Sequence, residues 1–165
     1  MQEFLLGVNL SKFNKKMKDF LKLIQKELDD FYNIRIEQPS IFFIDSRKEI
    51  NKIWERETEE WLCAWAKDGN IHILNPEVYT KESSHKDINH FWQSLKHEYS
   101  HLYYRKITNT SCPKWLNEGL ANYLAGQVKE KPTKKEGLMV FNYDYDRRVD
   151  KHIYKIGFLS EFLCK

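Results

Sequence analysis

The chain is short of the residues from which disulfide frameworks, linkers and membrane spans are made. Cysteine occurs three times in 165 residues, at Cys63, Cys112 and Cys164. An odd number without a C-x-x-C spacing closes no full set of internal bridges, which points to a reducing compartment rather than a secreted disulfide scaffold. Only 6 glycines and 4 prolines punctuate the sequence, and no low-complexity linker or internal repeat divides it. Apolar runs are short as well. None approaches the roughly 18 uncharged residues of a spanning helix, so no membrane helix is expected. An excess of one charge is also lacking. Against 27 Lys and Arg stand 24 Asp and Glu, too even a balance to make nucleic acid or an acidic membrane the expected partner. The stretch from Met1 to Lys16 has no basic start, apolar run and small-residue cleavage site in succession. No secretory signal is read, and a cytoplasmic location is expected.

Core-forming material, by contrast, is abundant. Hydrophobic residues make up 41% of the chain and aromatic ones 15%, a composition that folds without disulfides, and one domain spanning 1–165 is expected. Ser11 can cap a helix whose Phe13, Met17, Phe20, Ile24, Leu28 and Phe31 recur at steps of three and four. Ile34 and Ile36 alternate with polar residues, Pro39 interrupts, and Ile41 to Asp45 is a short β-forming run, so one or two strands belong here. The charged run from Ser46 to Trp61 is helical in composition. Trp61 to Ala66 and Ile71 to Leu74 lie either side of Asp68-Gly69, a strong signal for a two-residue hairpin turn. Asn75-Pro76 then ends the second strand.

From about Asp87 to Lys106 the pattern is helical, with Ile88, Trp92, Leu95, Tyr99 and Leu102 in one narrow stripe. Pro113 suits the first position of a further helix that reaches about Gly126, and the segment from His152 to Lys165 suggests a last one. Strands come early and helices late, which makes the fold class α+β.

Within the helix of 87–106 stands the sequence His97-Glu98-Tyr99-Ser100-His101. Two imidazoles four residues apart project about 40° from one another on a helix, so both can reach one zinc ion. They face away from the apolar stripe, as a metal site in a cleft requires. Glu98 projects beside the metal rather than onto it, the position of a general base acting on metal-bound water. Because so short a pattern also arises by chance on solvated helices, a third ligand is needed. Glu118 provides it: the helix of 113–126 carries Leu116, Leu120 and Tyr123 on one side and Glu118 on the other. The short turn near 107–112 makes the two helices neighbours, so two histidines and one glutamate can converge.

The pair of motifs, "HEYSH" and "WLNEGLANYLAG" from Trp115 to Gly126, resembles the gluzincin zinc metallopeptidases, whose second motif often reads W-L-x-E-G-x-A. Trp115, Leu116, Glu118, Gly119 and Ala121 match it. The separation is slightly shorter than in the gluzincin aminopeptidases, and their G-x-M-E-N motif is absent, so the likeness is to the clan rather than to that branch. In size the chain looks most like the minigluzincins. The resemblance implies a thermolysin-type fold with a cleft between an upper part of about 1–106, holding the sheet and zinc helix, and a lower part of about 107–165. It implies zinc-dependent hydrolysis of peptide bonds, with one zinc ion per chain on His97, His101 and Glu118, Glu98 as the catalytic base, and a peptide or protein as substrate.

Tyr154 in "YKIG" resembles the tyrosine of the aminopeptidases' Y-x-K-G segment, which stabilises the oxyanion, although Lys155 stands one place early. Tyr143 and Tyr145 are rivals for that role. The clan further implies an edge strand that pairs with an extended peptide, and Ile71, His72, Ile73 and Leu74 are placed for it. Asn122, one turn beyond Glu118, is a candidate to orient a ligating histidine. His90 lies about 10 Å along the helix from His97, too far to share the metal. The lysines at 129, 131, 134 and 135 form a basic loop without interleaved aromatics, which favours a solvated loop over nucleic-acid binding. The alternative reading is a catalytically silent or latent zinc-binding domain that serves as a peptide- or protein-binding module, with the carboxy-terminal "FLSEFLCK" in the cleft of a latent form.

Overall fold

A computed structural model describes residues 10–110 and 113–127, with side chains described from residue 14 onward. Two compact units divide between Gln38 and Pro39. The first contains α1 (Leu10–Tyr32), which begins one residue before Ser11, so its N-cap lies outside the described residues. Met17, Leu21, Ile24 and Leu28 form its buried stripe, while Phe20 is half-buried and Phe31 is 39% exposed. Asn33, in the left-handed region at φ 52°, ends the helix. Ile34 and Ile36 form no strand: the Gln25 amide donates to the Ile36 carbonyl at 3.0 Å, holding this segment back along its own helix.

The second unit is built on a three-stranded mixed sheet of β1 (Ile41–Ile44), β2 (Ala64–Lys67) and β3 (Asn70–Leu74). The strand order is β1-β3-β2, with β3 parallel to β1 and antiparallel to β2. Asp68 and Gly69 both take positive φ, at 50° and 77°, as the two-residue turn between β2 and β3 requires. Ile71 and Ile73 are fully buried, and Ala64 and Ala66 are nearly so.

Between β1 and β2 the helical run is shorter than its composition suggests. Helix α2 covers only Arg47–Ile53, capped by Ser46. Arg47 explains the remainder. Its guanidinium donates to the carbonyls of Glu59 at 3.0 Å, Glu60 at 2.9 Å, Leu62 at 2.6 Å and Glu82 at 2.8 Å, pinning 59–62 as irregular chain. Asn75, which ends β3, also starts a helix absent from the sequence reading, α3 (Pro76–Glu82), by accepting from the Glu77 N–H at 3.1 Å.

Two further helices complete the unit. Helix α4 (Asn89–Thr108) packs on β2 and β3 with one side and on α5 (Lys114–Ala125) with another. Phe91, Leu95, Tyr99 and Tyr103 are fully buried. Ile88, placed by periodicity in the core stripe, is 42% exposed because it precedes the first turn that meets the sheet, and Trp92 is half-buried. Asn109 closes α4 in the left-handed region and Gly126 does the same for α5. Pro113 is the N-cap of α5 rather than its first helical residue. Five helices and a small mixed sheet among the described residues make the fold α+β. No helix among them is long and apolar enough to cross a membrane.

Candidate metal centre

His97 and His101 are buried, at 9% and 6% exposure, because the face of α4 that carries them is covered by α5. The sequence placed them opposite the core. In the fold that opposite face is itself an interior surface, the seam between two helices. Glu118 enters the seam from α5 with 27% of its side chain exposed. Helix α5 presents a different stripe from the one expected. Leu120 is buried together with Asn117, Gly119, Ala121, Asn122 and Ala125, whereas Leu116 is half-buried and Tyr123 is 40% exposed.

The three expected ligands meet. His97 Nε2 lies 3.1 Å from His101 Nε2 and 3.3 Å from Glu118 Oε2, and His101 Nε2 lies 3.6 Å from Glu118 Oε1. Four ligand atoms held tetrahedrally at about 2.0–2.1 Å from a zinc ion stand roughly 3.3 Å apart. The observed triangle therefore has the size that a zinc ion needs. Glu98, half-buried, brings a carboxylate oxygen within 4.8 Å of a donor nitrogen of each histidine.

The outer ring nitrogens are fixed as well. His97 Nδ1 lies 2.8 Å from Gln127 Oε1, and His101 Nδ1 lies 2.7 Å from Asn117 Oδ1. An amide oxygen only accepts, so each Nδ1 donates and each Nε2 turns its lone pair into the triangle. Asn117 and Gln127 thus fill the orienting role expected of Asn122. Asn122 is buried, and its backbone carbonyl accepts from the N–H groups of Gly126 and Gln127 at the end of α5, while the Nδ1 partners of both histidines are Asn117 and Gln127. Asn117 had a signal in the sequence, since it adjoins Glu118. Gln127 follows the helix-ending glycine and had none.

Electrostatics favours positive charge in the triangle. Burial opposes a proton on His97, but the hydrogen bond to Glu118 and the charge of Glu98 outweigh it and hold the ring above its ordinary range. Burial likewise pushes Glu118 up, and its contacts with His97 and His101 reverse this to leave the carboxyl below the usual range. Carboxylates that favour a proton here favour a divalent cation in its place. On the sheet side of α4 the Tyr79 hydroxyl is 2.8 Å from Ser94 Oγ and receives the Cys63 thiol at 3.3 Å. Burial raises the titration of both groups, that of Tyr79 well above its ordinary range, so neither ionises near neutrality.

The strand assignment of the peptide-pairing residues changes. Ile71, His72, Ile73 and Leu74 lie on β3, the central strand, whose two edges are taken by β1 and β2. Sequence order placed this strand next to the zinc helix, but the parallel pairing with β1, thirty residues earlier, encloses it. Ile71, Ile73 and Leu74 are fully buried, and His72 is stacked between Phe42 and Trp65, each at 5.1 Å. Among the described residues β2 has a strand partner on one side only, and it contacts α4. Tyr154, Tyr143, Tyr145, Cys112, Cys164, the lysine-rich loop and the carboxy-terminal helix lie outside the described residues. Comparison with family models, with curated proteins and with solved structures found no match in any of the three.

Proposed function

We propose that this protein is a zinc-dependent peptidase of the gluzincin type, with one zinc ion held by His97, His101 and Glu118. The observation that carries this reading is the triangle of two Nε2 atoms and one carboxylate, with both outer ring nitrogens anchored by amides. A zinc ion there supplies a Lewis acid and makes water a nucleophile near neutral pH. Glu98 follows His97 in sequence and shares its turn of α4, so its carboxylate takes the proton from the attacking water and returns it to the leaving amine. A closed structural zinc site has no use for a carboxylate in that position. The extended substrate pairs with the outer side of β2, which packs on α4. Tyr154 keeps, by resemblance alone, the role of oxyanion donor. On this reading the fold is gluzincin-like, α4 being the zinc helix and α5 the glutamate helix, and the substrate adds to the outer edge of β2.

The test is metal content and cleavage of a peptide library by the purified full chain beside two variants. Wild type is expected to carry about one zinc per chain and to cleave. Glu118→Ala is expected to lose most of the metal. Glu98→Gln is expected to keep the metal and lose cleavage by a factor of about 100 or more, the scale of general base catalysis. A wild type that takes up no zinc when offered it overturns the site, and turnover retained in Glu98→Gln removes the base.

A further inference from the structure

The pairing of β2 determines which of its backbone groups face outward. The Leu74 N–H donates to the Cys63 carbonyl at 2.9 Å, and the register runs from Ala64 opposite Ile73 to Lys67 opposite Asn70. In an antiparallel ladder alternate residues bond to the partner, so Trp65 and Lys67 turn their backbone toward β3 while Ala64 and Ala66 turn theirs away. Both ends of this outer side are already occupied. Arg47 takes the Leu62 carbonyl at 2.6 Å. Arg105, one turn beyond His101 on α4, takes the Ala66 carbonyl at 3.1 Å. Among the described residues, an incoming chain is left with the N–H and carbonyl of Ala64 and the N–H of Ala66, a short docking edge that ends at a guanidinium.

Arg105 is exposed, and among the described residues no carboxylate lies within ion-pair distance of it. Its one hydrogen bond there is the contact with Ala66, which leaves the other donors of the fork available. It follows His97 and His101 at the same four-residue spacing, on the same side of α4. Directly paired residues on neighbouring strands direct their side chains to the same face of the sheet. The Ala66 side chain is buried on the face that packs against α4. A substrate residue opposite Ala66 therefore sends its side chain to the side from which Arg105 reaches over.

We propose that Arg105 is a specificity-determining residue that selects peptides with an acidic side chain at the subsite opposite Ala66. This rests on the peptidase reading and narrows its substrate class. A planar guanidinium already fixed through one nitrogen meets a carboxylate with two parallel hydrogen bonds, whereas it repels lysine at the same place. In antiparallel pairing the selected residue lies two positions amino-terminal to the one opposite Ala64.

The experiment uses the zinc-loaded full chain and fluorogenic peptides of one sequence in which a single Glu, or Gln in its place, is walked along the chain. At one position Glu is expected to exceed Gln in kcat/KM by about 10- to 100-fold, the scale of a charge-assisted hydrogen-bond pair, with the difference in KM. Arg105→Gln should abolish that preference, bringing the Glu and Gln peptides to the same kcat/KM within about 2-fold of each other, while Arg105→Lys should restore part of it. Thermal melts of each variant report any loss of the tie between α4 and β2. The same peptides are titrated by anisotropy into zinc-loaded Glu98→Gln. Glu-selective binding without cleavage by wild type upholds Arg105 and overturns the peptidase. Cleavage with no preferred Glu position, or a preference that survives Arg105→Gln, upholds the peptidase and overturns Arg105. Neither binding nor cleavage overturns both.

Discussion

Asn117 and Gln127 decide which nitrogen each histidine offers. Without an acceptor at Nδ1 an imidazole can rotate or carry its proton on the inner nitrogen, and its lone pair no longer points at the metal. The convergence of His97, His101 and Glu118 was legible in the sequence, since histidines spaced by four and a glutamate on the next helix need only helical geometry. The orienting residues were less so. Asn122 was chosen because it shares a helix face with Glu118, but a face says nothing about which side chain reaches a ring nitrogen. Asn117 does so from the neighbouring position, at 2.7 Å from His101. Asn117→Ala leaves that ring nitrogen buried without its acceptor and is expected to weaken zinc binding by about 10- to 100-fold. Asn117→Asp, which keeps an acceptor and adds charge, is expected to bind zinc at least as tightly as wild type. Competition against a chromophoric chelator measures both. Unchanged affinity in the alanine variant would show that Asn117 does not support the ligand.

At the level of elements, local signals were read well and long-range ones were not. Periodicity located α1, α4 and α5, and Asp68-Gly69 located the hairpin, because these depend on residues a few places apart. Strand order depends on the meeting of Ile41 with Ile71 and Ile44 with Leu74, which no local pattern records. That pairing also creates the stack of Phe42, His72 and Trp65 across the three strands. The rings face one another, so their faces are spent within the sheet, and His72 sits where a charge is unwelcome. Burial, and then the nearby Lys67, hold its titration below the ordinary range, against a smaller opposing pull from Asp68. As pH falls past about 6.5, the unfolded chain binds a proton at this histidine that the folded chain refuses, so folding loses stability as acidity rises. His72→Phe keeps a ring in the stack and removes the titration. Urea midpoints at about pH 7.5 and 5.5 should therefore fall less on acidification in His72→Phe than in wild type. An equal or larger fall in the variant would mean that His72 is as easily protonated folded as unfolded.

Across the whole molecule, a metal ion at the proposed centre would fasten two helices that the chain joins through residues 109–113. His97 and His101 come from α4 and Glu118 from α5, so an ion bound to all three resists their separation. Such a set of ligands does not exist in the unfolded chain, and binding to the folded form alone adds its free energy to folding. With free zinc about 100-fold above its dissociation constant the gain is about 2.7 kcal/mol. For a chain of this size that amounts to a rise of roughly 5–10 °C in Tm. The three ligands belong to the unit that starts at Pro39. If the unit ending at Gln38 melts separately, only the other transition should move. A chelator should reverse the shift, and magnesium, which prefers six oxygens, should not reproduce it. In Glu118→Ala most of the increment should vanish, because two imidazoles of a single helix no longer hold α5. Equal melting temperatures of wild type with and without saturating zinc would mean that no ion bridges the two helices.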